Sequence, residues 1–277
     1  KLNEDPDYHY GHILEAFKTA ASKMPRVDAI GVSSAGDYID NEPRVASLFI
    51  KVPRENWDKV KTIYTRAAAA IGDVPLVVAN DGDVSALAGT MSLNDNNILG
   101  IAMGTSEAVG YVDENGNLKG WLNELAFVPV DANKESMVDE WSGDYGCGVK
   151  YFSQDSVIKL AEYGGFEFDE GLSPAEKLKV IQRLRAEDDK LACEIYENIG
   201  IYLGYSLAWY AHFYKIKHVL LLGRVTSGKG GEQILEVANN VLKSAFPEYK
   251  DMDISMPDEK SRRVGQSIAA ASLPSLK

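Results

Sequence analysis

Apolar residues recur along the first half of the chain in two alternating patterns. Residues 27–36 and 74–80 are short, nearly continuous apolar runs, and small polar residues follow each of them. Residues 8–24, 56–72 and 83–91 instead place apolar side chains at every third or fourth position, which predicts helices. Strands that are apolar on both faces and alternate with helices indicate an α/β fold with a mostly parallel, covered sheet.

The pattern continues after a polar stretch at residues 94–97. Residues 98–120 predict two strands, residues 174–213 a long helical region, and residues 218–231 a buried strand that ends in a glycine-rich loop. A last short helix precedes the end of the chain. This helical region contains four aromatic residues, Tyr202, Tyr205, Trp209 and Tyr210. We predict that they form a packed helix face and not a platform on which nucleic-acid bases stack.

Composition narrows the class of protein. Apolar residues make up 45% of the 277 positions and charged residues 25%, as in a globular protein with a real core. The formal net charge of −12 argues against a nucleic-acid partner. No apolar run approaches about 18 residues and the first residues contain no signal-peptide core, so we expect no membrane partner. With Cys147 and Cys193 as its only cysteines, the chain suits a reducing, cytoplasmic location.

A cluster of short polar side chains, Asn80, Asp81 and Asp83, lies where the run at residues 74–80 meets the next helix. Polar atoms there are costly unless bonded, and open α/β sheets bind ligands at the carboxyl ends of their strands. Asp81 or Asp83 could instead cap the helix by accepting its first N–H groups. The cluster alone leaves both interpretations open.

Three strand-to-turn junctions follow one another, "IGVSSAG", "VVANDGD" and "LLLGRVTSGKGG", with the turn "IAMGTSEA" before the last. In this order they resemble the ROK family of sugar kinases and sugar-responsive regulators, within the actin-like ATPase superfamily. The corresponding family motifs are G-(I/V)-G-x-P-G, E-N-D-A-N-A-A-A-L-G, G-G-G-V-S and L-G-T-G-x-G-G-G. The helix "YENIGIYLGYSLAWYAHFYKIKHVLLLG" is also similar to the family. The resemblance covers about residues 10–273.

The resemblance implies a fold and an activity. The fold is α/β, a two-lobed actin-like ATPase (ribonuclease H-like) fold with a cleft between its lobes. Here we expect an incomplete N-terminal lobe of residues 1–96 plus 262–277, and a C-terminal lobe of residues 97–261. The implied activity is ATP-dependent phosphorylation of a hexose or hexosamine in carbohydrate metabolism, with Mg²⁺ carried by the ATP. The resemblance also allows a homodimer, since the family commonly dimerises.

Site residues follow from the resemblance position by position. Asp81 falls on the catalytic base, which accepts the proton of the attacking sugar hydroxyl. The positions that hydrogen-bond the sugar are occupied by Asn80, Glu124 and Gln154. The positions that bind ATP, at the phosphates and beside the adenosine, are occupied by Gly104, Thr105 and Gly223.

The chain also departs from the family's motifs. It contains no D-x-G-x-T stretch, the family's first hairpin, and its first residues fall where that hairpin should have ended, so the chain is either truncated or lacks it. Glu107 adds to the phosphate turn a carboxylate that would repel a nucleotide unless it points away. The family's zinc-cluster positions hold Tyr145, Cys147 and Phe152, and one thiol cannot hold tetrahedral zinc. We therefore expect no structural zinc.

Three hypotheses about function follow from these observations. The first is a ROK-type sugar kinase in which Asp81 is the base. The second is a catalytically degenerate sugar-binding or regulatory protein of the same family. The third is an unrelated α/β protein in which Asp81 only caps a helix.

Overall fold

The computed structural model describes residues 2–257 and 259–275, without the side chains of residues 259–263. The chain forms two compact units, unit 1 (Lys1–Ser92 with Glu259–Lys277) and unit 2 (Leu93–Asp258). The first elements are α1 (Pro6–Ala21), β1 (Ile30–Ser34), β2 (Asp37–Ile39), β3 (Glu42–Val45), α2 (Trp57–Lys61), α3 (Ile63–Ala69), β4 (Leu76–Asn80) and α4 (Asp81–Leu93). They are followed by β5 (Ile98–Met103), β6 (Glu107–Val112), α5 (Gln154–Tyr163), α6 (Pro174–Ala186), α7 (Lys190–Tyr210), β7 (His218–Leu222), α8 (Gly228–Ala245), β8 (Asp253–Ser255) and α9 (Glu259–Ser272).

Unit 1 is built on the parallel strands β1 and β4, which pair in register from Ile30 opposite Leu76 to Ser34 opposite Asn80. Strands β2 and β3 form a separate antiparallel hairpin. The larger core cluster of this unit contains the buried residues Ala46, Phe49, Val52, Val60, Ile63, Tyr64 and Val78. Because parallel strands end at the same edge, Ser34 and Asn80 lie side by side, and the residues after them flank one another.

Helix α9 completes unit 1 from the far end of the sequence. Its Ala269 and Ala270 are buried in a second small core cluster with Val84 of α4. The helix lies so close to β1 that a Cβ atom on Gly31 would overlap the carbonyl oxygen of Ala270. Unit 1 therefore needs residues from both ends of the described chain.

Unit 2 contains a four-stranded sheet in the order β6-β5-β7-β8. Strands β5 and β6 are antiparallel, whereas β7 runs parallel to both β5 and β8. Strands β5 and β7 end at the same edge, where Ala102 lies opposite Leu222. Buried residues from these strands and from α7 and α8 share one core, among them Leu99, Ile101, Leu203, Leu207, Leu221, Ile234 and Ala238.

The predicted alternation of strands and helices is confirmed, with two differences in the helices. The predicted helix at residues 56–72 is two helices, α2 and α3, which meet at Thr62. The long helical region at residues 174–213 is divided between α6 and α7 by residues 187–189. In the part of the chain that is described, no helix is both long and apolar enough to cross a membrane.

The predicted packed face of α7 is wrong for two of its four residues. Tyr210 is fully buried, but Tyr205 is 53% exposed and Trp209 is 48% exposed. These two lie four residues apart, on a helix side where the Tyr205 ring contacts Phe246 but both side chains stay about half exposed. Leu203 and Leu207, on another side, are fully buried. Apolar character alone did not distinguish the two sides of this helix.

Candidate active site

Asn80, the last residue of β4, caps helix α4. Its Oδ1 accepts hydrogen bonds from the backbone N–H groups of Gly82 at 2.7 Å and Asp83 at 3.4 Å, which is the bonding of an N-cap. Its Nδ2 donates a 2.9 Å hydrogen bond to the carbonyl oxygen of Gly36, in the loop after β1. The cap is therefore the amide of Asn80, and neither Asp81 nor Asp83 is needed for this role.

Asp81 is the first residue of α4 and is partly buried. Its Oδ1 accepts a 3.1 Å hydrogen bond from the N–H of Gly82, and none of the described residues donates to its Oδ2. Its carbonyl oxygen is held by the Ser85 hydroxyl at 2.7 Å and the Gln266 amide at 3.1 Å. Burial raises the pKa of Asp81, although backbone hydrogen bonds act in the opposite direction. A raised pKa makes a carboxylate a better proton acceptor.

A hydroxyl network lies beside Asp81, at the carboxyl end of β1. The Ser34 hydroxyl is 2.8 Å from the hydroxyl of Tyr38 and 2.8 Å from that of Tyr64. Burial raises the pKa of Tyr38, and the charges of Tyr64 and Asp81 raise it further, so this hydroxyl stays protonated. The sequence pattern did not predict this network. Only Ser34, a polar residue at the end of an apolar strand, gave a signal there.

In unit 2, residues 104–106 connect β5 to β6. The N–H of Gly104 donates to the carbonyl oxygen of Ser106 at 2.9 Å, and the carbonyl oxygen of Gly104 accepts the N–H of Gln154 at 2.8 Å. The N–H of Gly104 is thus used inside the turn. Thr105 and Ser106 are exposed at its tip, and their hydroxyls can donate hydrogen bonds to an anionic oxygen.

Glu107, directly after this turn, is buried and not exposed at its tip. The side chain is 6% exposed, and a Cβ atom on Gly148 would lie 2.5 Å from its Oε2, so the carboxyl packs against that backbone. Neither oxygen has a hydrogen-bond partner among the described residues. Burial, with a smaller effect of the Glu124 charge, raises the pKa of Glu107 to about 8. At neutral pH this carboxyl is mostly uncharged, so the repulsion expected from the sequence is largely absent.

The other sequence-predicted residues of unit 2 lie near the same end of β5. Gln154 begins α5, is 7% exposed, and is tied to the turn through its backbone N–H. Glu124 is exposed and close enough to Glu107 to affect its pKa. Gly223, after β7, has φ +96° and lies against Met103 so closely that a Cβ atom would overlap the Met103 carbonyl oxygen. The structure thus brings these residues together within unit 2, and brings Asn80 and Asp81 together within unit 1.

The residues at the family's zinc-cluster positions have unrelated environments. Phe152 is fully buried in the core, Tyr145 is 63% exposed, and burial raises the pKa of the Cys147 thiol. Over residues 2–257 and 259–275, no group of three or more His, Cys, Asp or Glu side chains is arranged to hold a metal ion.

A buried ammonium group lies in the same irregular segment. The side chain of Lys150 is 5% exposed, and its Nζ is 2.5 Å from Glu140 Oε2, 2.7 Å from Asp155 Oδ2 and 3.5 Å from Asp139 Oδ1. Burial lowers the pKa of Lys150, but hydrogen bonds to Asp155 and Glu140 outweigh burial and hold the pKa above its usual value. Lys150 therefore ties residues 139–140 to the first turn of α5, next to Gln154.

Comparisons with known proteins establish the fold. No protein-family model matches the sequence, and no curated protein matches it. A ROK hexokinase from Thermus thermophilus matches with a TM-score of 0.73 at 18% identity, over 96% of this chain and 85% of that chain. A ROK family glucokinase from Streptomyces griseus, in complex with glucose and AMPPNP, matches with a TM-score of 0.65 at 16% identity, over 95% and 88% of the two chains.

A transcriptional regulator of known structure is also similar to this chain in fold. A ROK family transcriptional regulator, a homolog of the E. coli MLC protein, matches with a TM-score of 0.71 at 18% identity, over 96% of this chain and 69% of that chain. The chain therefore has the α/β fold of the ROK hexokinase and the ROK family glucokinase that it matches. The resemblance to the ROK family is confirmed at the level of the fold.

Proposed function

We propose that the protein is a ROK-type sugar kinase, which transfers the γ-phosphoryl group of ATP to a hydroxyl group of a hexose or hexosamine in the cytoplasm. The observation that carries the proposal is the position of Asp81. Its partly buried carboxylate lies at the carboxyl end of β4, its pKa is raised, and Asn80 already caps α4. The ROK hexokinase fold supports the proposal, since the matched structures include sugar kinases.

In this proposal Asp81 accepts the proton of the sugar hydroxyl as its oxygen attacks phosphorus. Asn80 uses one amide hydrogen on Gly36, and its other hydrogen is the donor for a sugar hydroxyl. Glu124 accepts hydrogen bonds from hydroxyls through its exposed carboxylate, and Gln154 completes the sugar contacts.

The nucleotide belongs at the ends of β5 and β7 in unit 2. Gly104 shapes the turn, Thr105 and Ser106 present donors to phosphate oxygens, and Gly223 lets the loop after β7 lie against Met103. ATP supplies the phosphoryl group, and its Mg²⁺ neutralises phosphate charge. Glu107 is buried against the backbone of Gly148 and burial raises its pKa, so its carboxyl does not oppose an anionic ligand at the turn.

A second candidate is a sugar-binding regulatory protein without phosphoryl transfer. The observation that favours it is the use of the Gly104 N–H inside its own turn, which leaves fewer backbone donors for phosphate. The likeness to a ROK transcriptional regulator, with a TM-score of 0.71, also falls between the likenesses to the two kinases, with TM-scores of 0.73 and 0.65.

The test measures ADP release from Mg·ATP by the full-length protein over a panel of hexoses and hexosamines, with sugar binding followed by calorimetry. We expect one or more sugars to be phosphorylated, and Asp81→Asn to lower kcat by roughly 10²-fold or more while sugar binding survives. Asp83→Asn, which removes the adjacent carboxylate, is the matched control and keeps its turnover. Sugar binding without ADP release supports the second candidate, and full turnover by Asp81→Asn excludes Asp81 as the base.

A further inference from the structure

Residues 138–145 form a tight hairpin, called here the Trp141 hairpin, in the irregular segment before α5. An antiparallel bridge joins its two ends, and the N–H of Asp139 donates to the carbonyl oxygen of Asp144 at 2.8 Å. The N–H of Gly143 donates back to the carbonyl oxygen of Asp139 at 2.8 Å, and Gly143 turns the chain with φ +80°. Trp141 lies in this turn, at the tip of the hairpin.

Contacts on two sides fix the tip of the Trp141 hairpin. Glu140, the residue before Trp141, accepts hydrogen bonds from the Nζ of Lys150 at 2.5 Å and from the Nζ of Lys159 at 2.6 Å. The Trp141 ring contacts the Phe127 ring, with the ring centroids 5.3 Å apart and the ring planes inclined by 36°. The position of Trp141 is therefore set by neighbours from two other segments.

The same contacts bring Trp141 close to both sugar-binding residues proposed in unit 2. Glu124 and Phe127 share one 3₁₀ turn, in which the N–H of Phe127 donates to the carbonyl oxygen of Glu124 at 3.1 Å. Residues three apart in such a turn lie on the same side, so the Phe127 ring follows the Glu124 carboxylate. On the other side of the hairpin tip, Lys150 also binds the carboxylate directly after Gln154, at 2.7 Å.

Trp141 keeps most of its ring in contact with solvent. Its side chain is 70% exposed although it touches Phe127, which is itself only partly buried. A large apolar side chain that is exposed and held in place beside polar groups is typical of a ligand site. One face of a hexopyranose ring presents mainly C–H groups, which pack well on the electron-rich face of an aromatic ring. The chemistry of this surface therefore suits a sugar ring.

The exposure of the residues indicates which ring this surface can take. The exposed fraction rises from 7% at Gln154 to 70% at Trp141, so the aromatic surface lies at the outer end of the proposed sugar site. A ligand that reaches from Gln154 to Trp141 has a second ring beyond the one that is phosphorylated. Exposed carboxylates of Glu140 and Asp144 flank Trp141, and they can accept hydrogen bonds from the hydroxyls of that ring. A second copy of this chain would instead bring the same carboxylates against each other.

We propose that Trp141 and Phe127 form an outer sugar subsite, which stacks on the apolar face of a second hexose ring. A glycosidic bond joins this ring to the one held by Glu124 and Gln154, so the preferred ligand is a disaccharide. The proposal rests on the proposed function for the roles of Glu124 and Gln154, but binding at the outer subsite requires no phosphoryl transfer.

The test is calorimetric titration of the full chain with maltose, cellobiose, lactose and N,N′-diacetylchitobiose, and with their component monosaccharides. We expect at least one disaccharide to bind more tightly than its components. Trp141→Ala is expected to weaken binding of this disaccharide at least about tenfold and binding of the monosaccharides less than about twofold. Trp141→Phe keeps a flat apolar ring and is expected to recover part of the loss. Tyr163→Ala, at a 93% exposed aromatic residue of α5, is the control and keeps the affinity of the parent.

The outcomes separate the outer subsite from the proposed function. Tighter disaccharide binding that Trp141→Ala removes, without ADP release from Mg·ATP on any sugar, supports the subsite and contradicts the kinase activity. ADP release on monosaccharides alone, with no disaccharide preference, overturns the subsite and leaves the kinase activity standing. Equal losses for monosaccharides and disaccharides in a Trp141→Ala protein with unchanged circular dichroism also overturn the subsite. A Trp141→Ala variant that changes the molar mass in sedimentation but not disaccharide binding overturns it in favour of a second copy of the chain.

Discussion

Asn80 and Gly36 join the ends of two parallel strands. The Nδ2 of Asn80, at the end of β4, donates a 2.9 Å hydrogen bond to the carbonyl oxygen of Gly36, just after β1. The Oδ1 of the same amide caps α4. One side chain therefore holds both backbone segments that flank Asp81, and its contribution to stability can be separated from the chemistry of Asp81.

Asn80→Ala removes both the cap and the bond to Gly36. We expect it to lower the free energy of unfolding by about 1–2 kcal/mol, the usual effect of losing an N-cap. Asp81→Asn leaves the cap in place and is expected to change stability by less than about 0.5 kcal/mol. Urea unfolding of both variants checks this. An Asp81→Asn variant as unstable as Asn80→Ala would mean that Asp81 does hold the helix.

Glu107 makes stability depend on pH. Its pKa is raised from 4.5 to about 8 in the folded chain, so the folded state binds more protons than the unfolded state between these values. Stability conferred by the protonated carboxyl is complete below about pH 4.5 and is lost as the pH rises towards 8. The Glu107→Gln variant has no ionisable group at this position, so its free energy of unfolding does not fall for this reason as the pH rises.

The measurement is chemical unfolding of Glu107→Gln and the parent at several pH values. The difference in free energy of unfolding is expected to shift in favour of the variant from pH 5 to pH 8, by up to about 1.4 kcal/mol per pH unit. Glu236→Gln, at an exposed residue of α8, is the control for the loss of a carboxylate elsewhere in the unit. A flat difference for Glu107→Gln would show that its carboxyl ionises normally.

Lys150 is expected to stabilise the irregular segment before α5. Lys150→Met leaves Asp139, Asp155 and Glu140 without their shared ammonium group. We expect a loss of about 2 kcal/mol, less than for a fully buried pair because Glu140 is 70% exposed and Asp155 is 37% exposed. Lys177→Met breaks a more exposed pair with Glu162, 3.1 Å long, and is expected to cost under about 1 kcal/mol. Equal losses in guanidinium unfolding would contradict this difference.

Gly223 tests the contact between the ends of β5 and β7. Gly223→Ala places a Cβ atom on the Met103 carbonyl oxygen at a positive φ, and we expect a loss of roughly 2–4 kcal/mol from strain and overpacking. Gly228→Ala also has a positive φ, of +66°, but meets no atom within 4 Å, so only about 1 kcal/mol of strain is expected. Thermal unfolding compares the two. Similar Tm values for the two variants would show that the backbone at residue 223 can move away from the Met103 carbonyl oxygen without a large loss of stability.

The pattern of apolar residues predicted the strands and helices that position the site, because that pattern reports which faces are buried. It therefore located the polar cluster at the junction of β4 and α4. It could not assign the roles within the cluster, since the cap depends on how the Asn80 amide turns towards Gly36, 44 residues earlier in the chain.

Other features of the site depend on contacts that have no period in the sequence. The inward position of Glu107 depends on the backbone at Gly148, and the charge of Lys150 is balanced by residues of an irregular segment. Tyr205 and Trp209 are as apolar as core residues, so the sequence did not show that they are exposed.

Helix α9 packs directly on β1, and this contact affects the order in which the chain folds during translation. A ribosome adds all of residues 93–258 after β1 and β4 but before α9, so unit 2 has its complete core while Gly31 still lacks its helical cover. Since domains generally fold as units during synthesis, unit 2 matures first, although it is second in the sequence. The segment that holds Asp81 acquires its final support only when residues 259–272 leave the exit tunnel.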